Sequence, residues 1–279
     1  MKISTKSISL TLSLLCSGLC IQGQGDYTYV ECTIMPMHES EVHRSYPYIP
    51  APQGTTKTAG NLMSNNWSGY VAATNFTTPA ANSVTSVSAS WVVPTLVATP
   101  DNSYCSIWVG MDGLLSTTVE QIGTSHNWVN GVQQNYAWFE MFPGGSYVIS
   151  GFPVNPGDVI SGFVRYTGNS VFVLTLYNNT QKVYYTAPAA QTTSKTASRN
   201  SAEWIVEAPY LNGVLPLSDF ANAYMWGCGA IINGVAAQIG NNSWPHMGID
   251  MITTTGAYKD QASPLLPDKG SFFVVWSHE

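Results

Sequence analysis

Carboxylates are scarce in this chain, which makes those placed inside apolar runs conspicuous. The 279 residues include 16 Asp+Glu and 10 Lys+Arg, so only 9% are charged, against roughly a quarter in an ordinary soluble domain. Glu140 sits in Ala137-Trp138-Phe139-Glu140-Met141-Phe142, and Glu203 and Glu207 in Ala202-Glu203-Trp204-Ile205-Val206-Glu207. Residues two apart in a strand share a face, so Glu203, Ile205 and Glu207 point one way while Trp204 and Val206 point the other. A carboxyl among Trp and Ile loses hydration, and its pKa rises into the range useful for acid/base work. Spacing alone suits a solvent-facing or hydrogen-bonded structural glutamate at least as well.

Other hydrolytic chemistries lack their parts. No Gly-x-Ser-x-Gly elbow, His-Glu-x-x-His helix, phosphate loop, Cys-x-x-Cys pair or Asp-Thr/Ser-Gly signature occurs. His38 and His43 have the wrong spacing for a zinc pair on one helical face, and His126, His246 and His278 fit surface or internally satisfied histidines better than ligands. No metal or cofactor is expected.

The elements that must position these carboxylates are strands. From Asn61 onward, runs of four to eight β-branched and aromatic residues alternate with Gly, Pro and Asn, and there is hardly a helical window. Strands are expected over Val84–Val93, Ser106–Met111, Ala137–Phe142, Val159–Tyr166, Phe172–Tyr177, Lys182–Thr186, Glu203–Val206 and Phe272–Trp276. About 220 residues of this kind suit one β-sandwich or barrel rather than two domains. Gln191 to Asn200, polar and holding two of the few cations, is expected to be an exposed loop.

A net charge of -6 and a pI near 5.3 exclude nucleic acid as the main partner, because phosphate binding needs a basic face. A surface built from Ser, Thr, Asn, Gln, Gly and Tyr changes little in charge as pH falls, which suits work in acid. Met1 to Gln24 has the form of a secretory signal: Lys2 and Lys6 precede an apolar stretch from Ile8 to Ile21. Leu15 and Leu19 argue against lipidation at Cys16 and Cys20, and no later stretch is long and apolar enough to cross a bilayer. A secreted protein, extracellular or periplasmic, is expected. Its organisation would be a signal peptide (1–24), a pro-region or N-terminal arm rich in Pro, His and Tyr (25–60) and one β domain (61–279). Three cysteines follow the signal; if 25–60 is removed, Cys105 and Cys228 remain as a candidate pair. Sequons at Asn66, Asn75, Asn178 and Asn241 carry weight only if the source glycosylates.

An ordered set of blocks resembles the glutamic peptidases, also called eqolisins or peptidase family G1. The blocks are Trp108-Val109-Gly110-Met111-Asp112-Gly113, Val119-Glu120-Gln121-Ile122-Gly123, Ala137-Trp138-Phe139-Glu140-Met141-Phe142-Pro143 and Ala202-Glu203-Trp204-Ile205-Val206-Glu207, with flanking agreement from Asn65 to Ser277. The resemblance implies an all-β fold, a two-sheet antiparallel sandwich of the lectin-like jelly-roll kind. It implies an endopeptidase, acting in acid and insensitive to pepstatin, with Gln121 and Glu203 as the catalytic pair. Glu203 would be general base and then acid on water, and Gln121 would stabilise the oxyanion; Gln121 would not have been chosen without the resemblance. It further implies Trp108 and Trp138 lining a substrate cleft, with Glu140 and Asp112 as acidic residues beside the pair. Glu207 remains a rival for the carboxylate. Ser125, Tyr136 and Phe142 depart from the family pattern, which usually has acids at the first two positions and Tyr at the third, and this puts the acid optimum in doubt.

The expected partner is a polypeptide substrate of a monomeric enzyme, with no nucleic acid or membrane. Two rivals remain at this stage: a glycoside hydrolase using Glu140 and Glu203, and a non-catalytic carbohydrate-binding module in which Trp108 and Trp138 stack on a ligand.

Overall fold

The computed structural model describes residues 26–37, 46–51, 61–187, 190–191 and 196–278. The expected signal segment lies outside these residues, as does much of the expected pro-region. Regular structure among the described residues is all strand. The N-terminal arm carries β1 (Thr28–Tyr29) and β2 (Thr33–Pro36), and β3 (Leu62–Ser64) and β4 (Trp67–Ala73) follow it. Next are β5 (Val84–Val92), β6 (Ser103–Met111), β7 (Val119–Val129), β8 (Val132–Phe142) and β9 (Ser146–Ser150). Then come β10 (Val159–Gly168), β11 (Val171–Asn178), β12 (Val183–Thr186), β13 (Ala190–Gln191) and β14 (Ser201–Glu207). The last group is β15 (Asn222–Ile232), β16 (Val235–Gln238), β17 (His246–Ile252), β18 (Tyr258–Ala262) and β19 (Phe272–Trp276). Each strand expected from the sequence is present, most of them longer than expected.

The strands form two packed layers. One runs β9-β8-β7-β6-β14-β4-β17 and the other β19-β15-β5-β10-β11-β12. β18 pairs with both β17 and β19, so the hydrogen-bond ladder passes continuously from one layer into the other. The pairing is antiparallel except where β3 lies beside β17 and β1 beside β12. Between the layers, Trp91, Ile160, Phe172 and Leu174 meet Ile107, Val109, Ile122 and Trp204 in one buried cluster. Two indoles stitch the layers together: Trp91 Nε1–H donates to Thr124 Oγ1 and Trp204 Nε1–H to the Ser88 carbonyl, each at 2.9 Å. Both aromatic bodies are thus buried without leaving a donor unmade.

The first layer is buried on its other face too. There Trp67, Val71, Trp108, Trp138 and Ile205 form a second cluster, against which Met37 and Tyr48 of the arm pack. Burial on both faces leaves every position of β4 and β14 buried, Glu203 and Glu207 included.

Several local expectations are corrected. The sequence did not announce β7, because Val119-Glu120-Gln121-Ile122-Gly123-Thr124-Ser125-His126 looks too polar for a strand with nine buried positions in succession. Several of its polar side chains are satisfied sideways: Ser125 pairs with Ser106 at 2.8 Å, and His126 bonds Thr124 and Asn135 at 3.0 Å each. Cys105 and Cys228 do not pair; both are buried free thiols, and Cys105 Sγ donates to the His126 carbonyl. The expected loop at Gln191–Asn200 is not simply exposed. Arg199 is buried, its guanidinium donating to the Val84 carbonyl and Asn82 Oδ1 and lying 3.7 Å from the Tyr166 ring centroid, while Lys195 lies outside the described residues. Asn66 and Asn178 are fully buried with bonded amides, so neither sequon is open to a glycan.

Candidate active site

Register assembles the site. Glu203 on β14 faces Gly110 on β6, Gly110 faces Gln121 on β7, and Gln121 faces Glu140 on β8. Residues directly opposite in antiparallel strands point to the same side, so the four positions form a row across the second-cluster face. Two further rows run beside it: Ile205, Trp108, Gly123 and Trp138, then Glu207, Ser106, Ser125 and Tyr136. Glycine at the centre of the first row keeps Glu203 and Gln121 open to each other, since no side chain stands between them. A Cβ on Gly110 would lie 3.1 Å from Gln121 Cβ and 2.9 Å from Trp108 Cζ3; one on Gly123 would lie 2.5 Å from Trp108 Cβ. The two glycines therefore make room for the side chains that matter most here.

The carboxyls differ in how they are held. Gln121 Nε2 donates to Glu140 Oε2 at 3.1 Å, which fixes which end of the amide faces Glu140. Glu203 is fully buried, and neither oxygen has a hydrogen-bond partner among the described residues. Its pKa is pushed well above the usual carboxyl range by burial, with nearby Asp112 adding to the rise; Ser201, on the same face, acts in the opposite direction. An unpartnered carboxyl on the same row as a primary amide can exchange a proton with a reactant while the amide donates to a developing negative oxygen.

Asp112 lies beneath this arrangement as a fastener. It follows β6 at a φ of 71°, and its carboxylate accepts from the Arg199 and Asn200 backbone N–H groups at 2.7 and 2.9 Å and from Thr118 Oγ1 at 3.2 Å. These bonds tie the entrance of β14, and hence Glu203, to the end of β6. Glu120, which the sequence reasoning did not single out, is buried beside Asp112 on the core face of β7. Its carboxyl is pushed up strongly by burial first, then by Asp112 and Glu203, with Arg199 opposing. Burial of Asp112 likewise raises its pKa, against its backbone hydrogen bonds. Two carboxyls this close share protons rather than both ionising. The sequence signal was present: a fourth Glu of the strand region, adjacent to Gln121.

Glu207 occupies the third row, on the Glu203 face, and both its oxygens are hydrogen-bonded. Its Oε2 accepts from Trp108 Nε1–H at 2.8 Å and its Oε1 from the Tyr46 backbone N–H at 2.8 Å. Trp108 also packs edge-on against Trp67, with ring centroids 5.0 Å apart. Trp138 is 2% exposed and belongs to the same cluster. Part of the N-terminal arm packs on this face, through Met37 and Tyr48: Met37 N–H donates to the Ser146 carbonyl and Tyr48 N–H to the Gly113 carbonyl, while β2 extends the sheet edge beside β9 and β1 joins β12 of the other layer. Ser146 is in turn the register partner of Glu140. Gln121, Glu203, Glu140, Trp108 and Trp138 are thus brought together on one face, whereas Asp112 supports it from below. Among the described residues no cluster of three His, Cys, Asp or Glu side chains is arranged to hold a metal ion.

Known proteins share this architecture. Scytalido-glutamic peptidase, solved with a transition state analog inhibitor, superposes with a TM-score of 0.64 at 22% identity, covering 76% of this chain and 98% of that one. SCP-B, an eqolisin in complex with the tripeptide Ala-Ile-His, gives 0.59 at 20% identity, covering 77% and 98%. Aspergilloglutamic peptidase from Aspergillus niger gives 0.52 at 24% identity, covering 63% and 99%. No curated protein matches the sequence. Residues 65–260 match the model of the Peptidase A4 family, a span that holds every strand of the three-row face, and the chain therefore belongs to that family, the glutamic peptidases or eqolisins, and is a peptidase.

Proposed function

We propose that this glutamic-type endopeptidase cleaves its polypeptide substrates with Glu203 and Gln121, in acid and outside the cell. The observation that carries the assignment is the row Glu203-Gly110-Gln121-Glu140, in which the carboxyl and the amide flank a position without a side chain. Glu203 takes a proton from water as that water attacks the scissile carbonyl. One Gln121 Nε2–H donates to the oxyanion while Glu140 holds the amide from the other side, and Glu203 then passes its proton to the leaving amine. A neutral amide donor stabilises the oxyanion without drawing down the pKa of the neighbouring carboxyl, as a cation would.

General base catalysis needs an ionised Glu203, and in the full chain burial disfavours that form. The arm reconciles the two. Met37 and Tyr48 of the arm pack on this face, so removing 25–60 as a pro-region would admit water there, relieve the desolvation and bring the carboxyl back toward its ordinary range. The covered chain is then a resting form. Secretion rests on the signal-like N-terminus, and pepstatin insensitivity on the lack of an aspartate dyad signature.

The test is digestion of denatured albumin, with and without pepstatin, over a range of pH. Wild type should cleave in acid, and Glu203→Gln should lose about 10²–10⁴-fold in rate, the scale of general acid/base catalysis, with unchanged β-sheet circular dichroism. Retained activity in that variant would sink the assignment. Release of reducing ends from polysaccharide without proteolysis would return the glycoside hydrolase reading.

A further inference from the structure

The arm shows how the groove holds an extended chain. Four consecutive arm residues, Tyr46 to Ile49, have their backbone groups engaged by the body of the protein. Glu207 Oε1 accepts from Tyr46 N–H, and Asn66 Nδ2 donates to the Tyr46 and Pro47 carbonyls. Gly113 O accepts from Tyr48 N–H and Asn66 Oδ1 from Ile49 N–H. Every polypeptide offers such groups whatever its sequence, so these contacts hold a backbone without choosing a side chain.

The choice of side chain comes from rings at one position. The Tyr46 ring stacks on Tyr210 with centroids 4.6 Å apart and planes 28° from parallel, and it meets Phe142 edge-on at 5.7 Å and 67°. Glu207 anchors the Tyr46 backbone in the third row. Tyr210 lies three residues past Glu207, whereas Phe142 lies two past Glu140 on the first-row side of β8, so the Tyr46 ring reaches back over the face. The seat is open: Tyr46 is 39% exposed while seated. Glu207 is four residues from Glu203 along β14, or about 13 Å at 3.3 Å per residue. A substrate equally extended would bring a residue about three to four positions from the scissile bond to the same seat.

We propose that Tyr210, Phe142 and Glu207 form a subsite for an aromatic residue of the substrate, three to four positions from the cleaved bond, which Tyr46 occupies while the arm is in place. Glu207 takes the backbone N–H of that residue, with its second oxygen held by Trp108, while Tyr210 stacks on the side chain and Phe142 meets it edge-on. This inference rests on the peptidase reading of Glu203 and Gln121 and adds the substrate class that the same groove selects.

The experiment compares two sets of decapeptides, identical except for Phe or Ala placed at successive positions around one cleavable bond, cut by the processed wild-type enzyme and by Tyr210→Ala. Wild type should prefer Phe at a single position, three to four residues from the cut, by roughly three- to tenfold in kcat/KM, the scale of one aromatic pair. Tyr210→Ala should erase that ratio by lowering cleavage of the Phe peptide toward that of its Ala counterpart. A merely structural loss would lower both peptides together and leave the ratio unmoved, and that result, or cleavage by wild type with no aromatic preference, would overturn the subsite and leave the catalytic assignment standing. Absence of cleavage by wild type would instead remove the reaction and the subsite together. A second arm uses the full chain: Tyr46→Ala should speed turnover before processing by at least about threefold, and unchanged turnover would count against the seat.

Discussion

Glu203 and Asp260 are both fully buried carboxyls associated with the same layer, yet their surroundings make different things of them. Asp260, on β18 at the seam between layers, accepts from Ser68 Oγ at 2.8 Å on β4. Burial raises its pKa to about 8, against the pull of Ser68, Lys259 and the Met251 backbone. Glu203 has no such hydrogen-bond anchor and stands across Gly110 from a primary amide. Burial and a raised pKa are therefore common to an acid held by its scaffold and to the acid proposed to react. Geometry separates them: Glu203 lies in one row with a primary amide, and Asp260 is bonded to its own scaffold.

The contrast can be broken at the level of activity first. Glu203→Gln should abolish proteolysis, whereas Asp260→Asn should leave kcat/KM within about twofold, because the amide oxygen introduced there can still accept from Ser68 and touches nothing in the groove. A large loss of activity in folded Asp260→Asn would erase the distinction. Next in size, Gln121→Ala should lower kcat by about 10²–10³-fold, the scale of one oxyanion donor. A KM effect alone would make Gln121 a binding residue rather than a participant in the transition state.

Stability against pH sharpens the other half of the comparison. Unfolded Asp260 releases its proton near 3.8 and folded Asp260 only near 8. Between those values the folded chain holds the extra proton, so this group's contribution is fully present below about 3.8 and is lost as pH rises toward 8, at up to about 1.4 kcal/mol per pH unit. Buried His126 works in the opposite sense, since its pKa is lowered from 6.5 to about 4 and its contribution is lost as pH falls through that window. Glu203 and Glu120 are raised like Asp260, so the carboxyls outnumber the histidine and denaturant midpoints should fall from pH 4 to 8. Asp260→Asn should flatten that decline; an unchanged slope would mean that Asp260 ionises normally in the fold. The smallest expected effect is that of Glu120→Gln, which removes one member of a proton-sharing pair. It should raise stability at neutral pH by about 1 kcal/mol while Glu203 keeps its role, and a shift in the acid limb of the activity profile would show the pair acting on Glu203.

Much of the architecture was open to reading in one dimension. Alternation in Glu203-Trp204-Ile205-Val206-Glu207 assigned faces correctly, because side-chain direction in a strand is a local property. β7 was not legible: its polar residues are buried beside Asp112, Glu140, Ser106 and Asn135 on other elements, and no window of sequence contains both members of those pairs. Gln121 came only through family resemblance for the same reason. The candidate Cys105 and Cys228 bridge failed because an even count says nothing of where β6 and β15 place their thiols. Asp112, expected beside the substrate, had its oxygens taken by Arg199, Asn200 and Thr118.

The amino-acid sequence by itself determined that the protein is all β, poor in charge, and equipped with glutamates on the apolar faces of strands, because composition, turn residues and two-residue alternation are written locally. Only the tertiary structure decided which carboxyl meets which amide. Register between β14, β6, β7 and β8 joins residues as far apart as Gln121 and Glu203, and register depends on how two layers and the groove face pack at once.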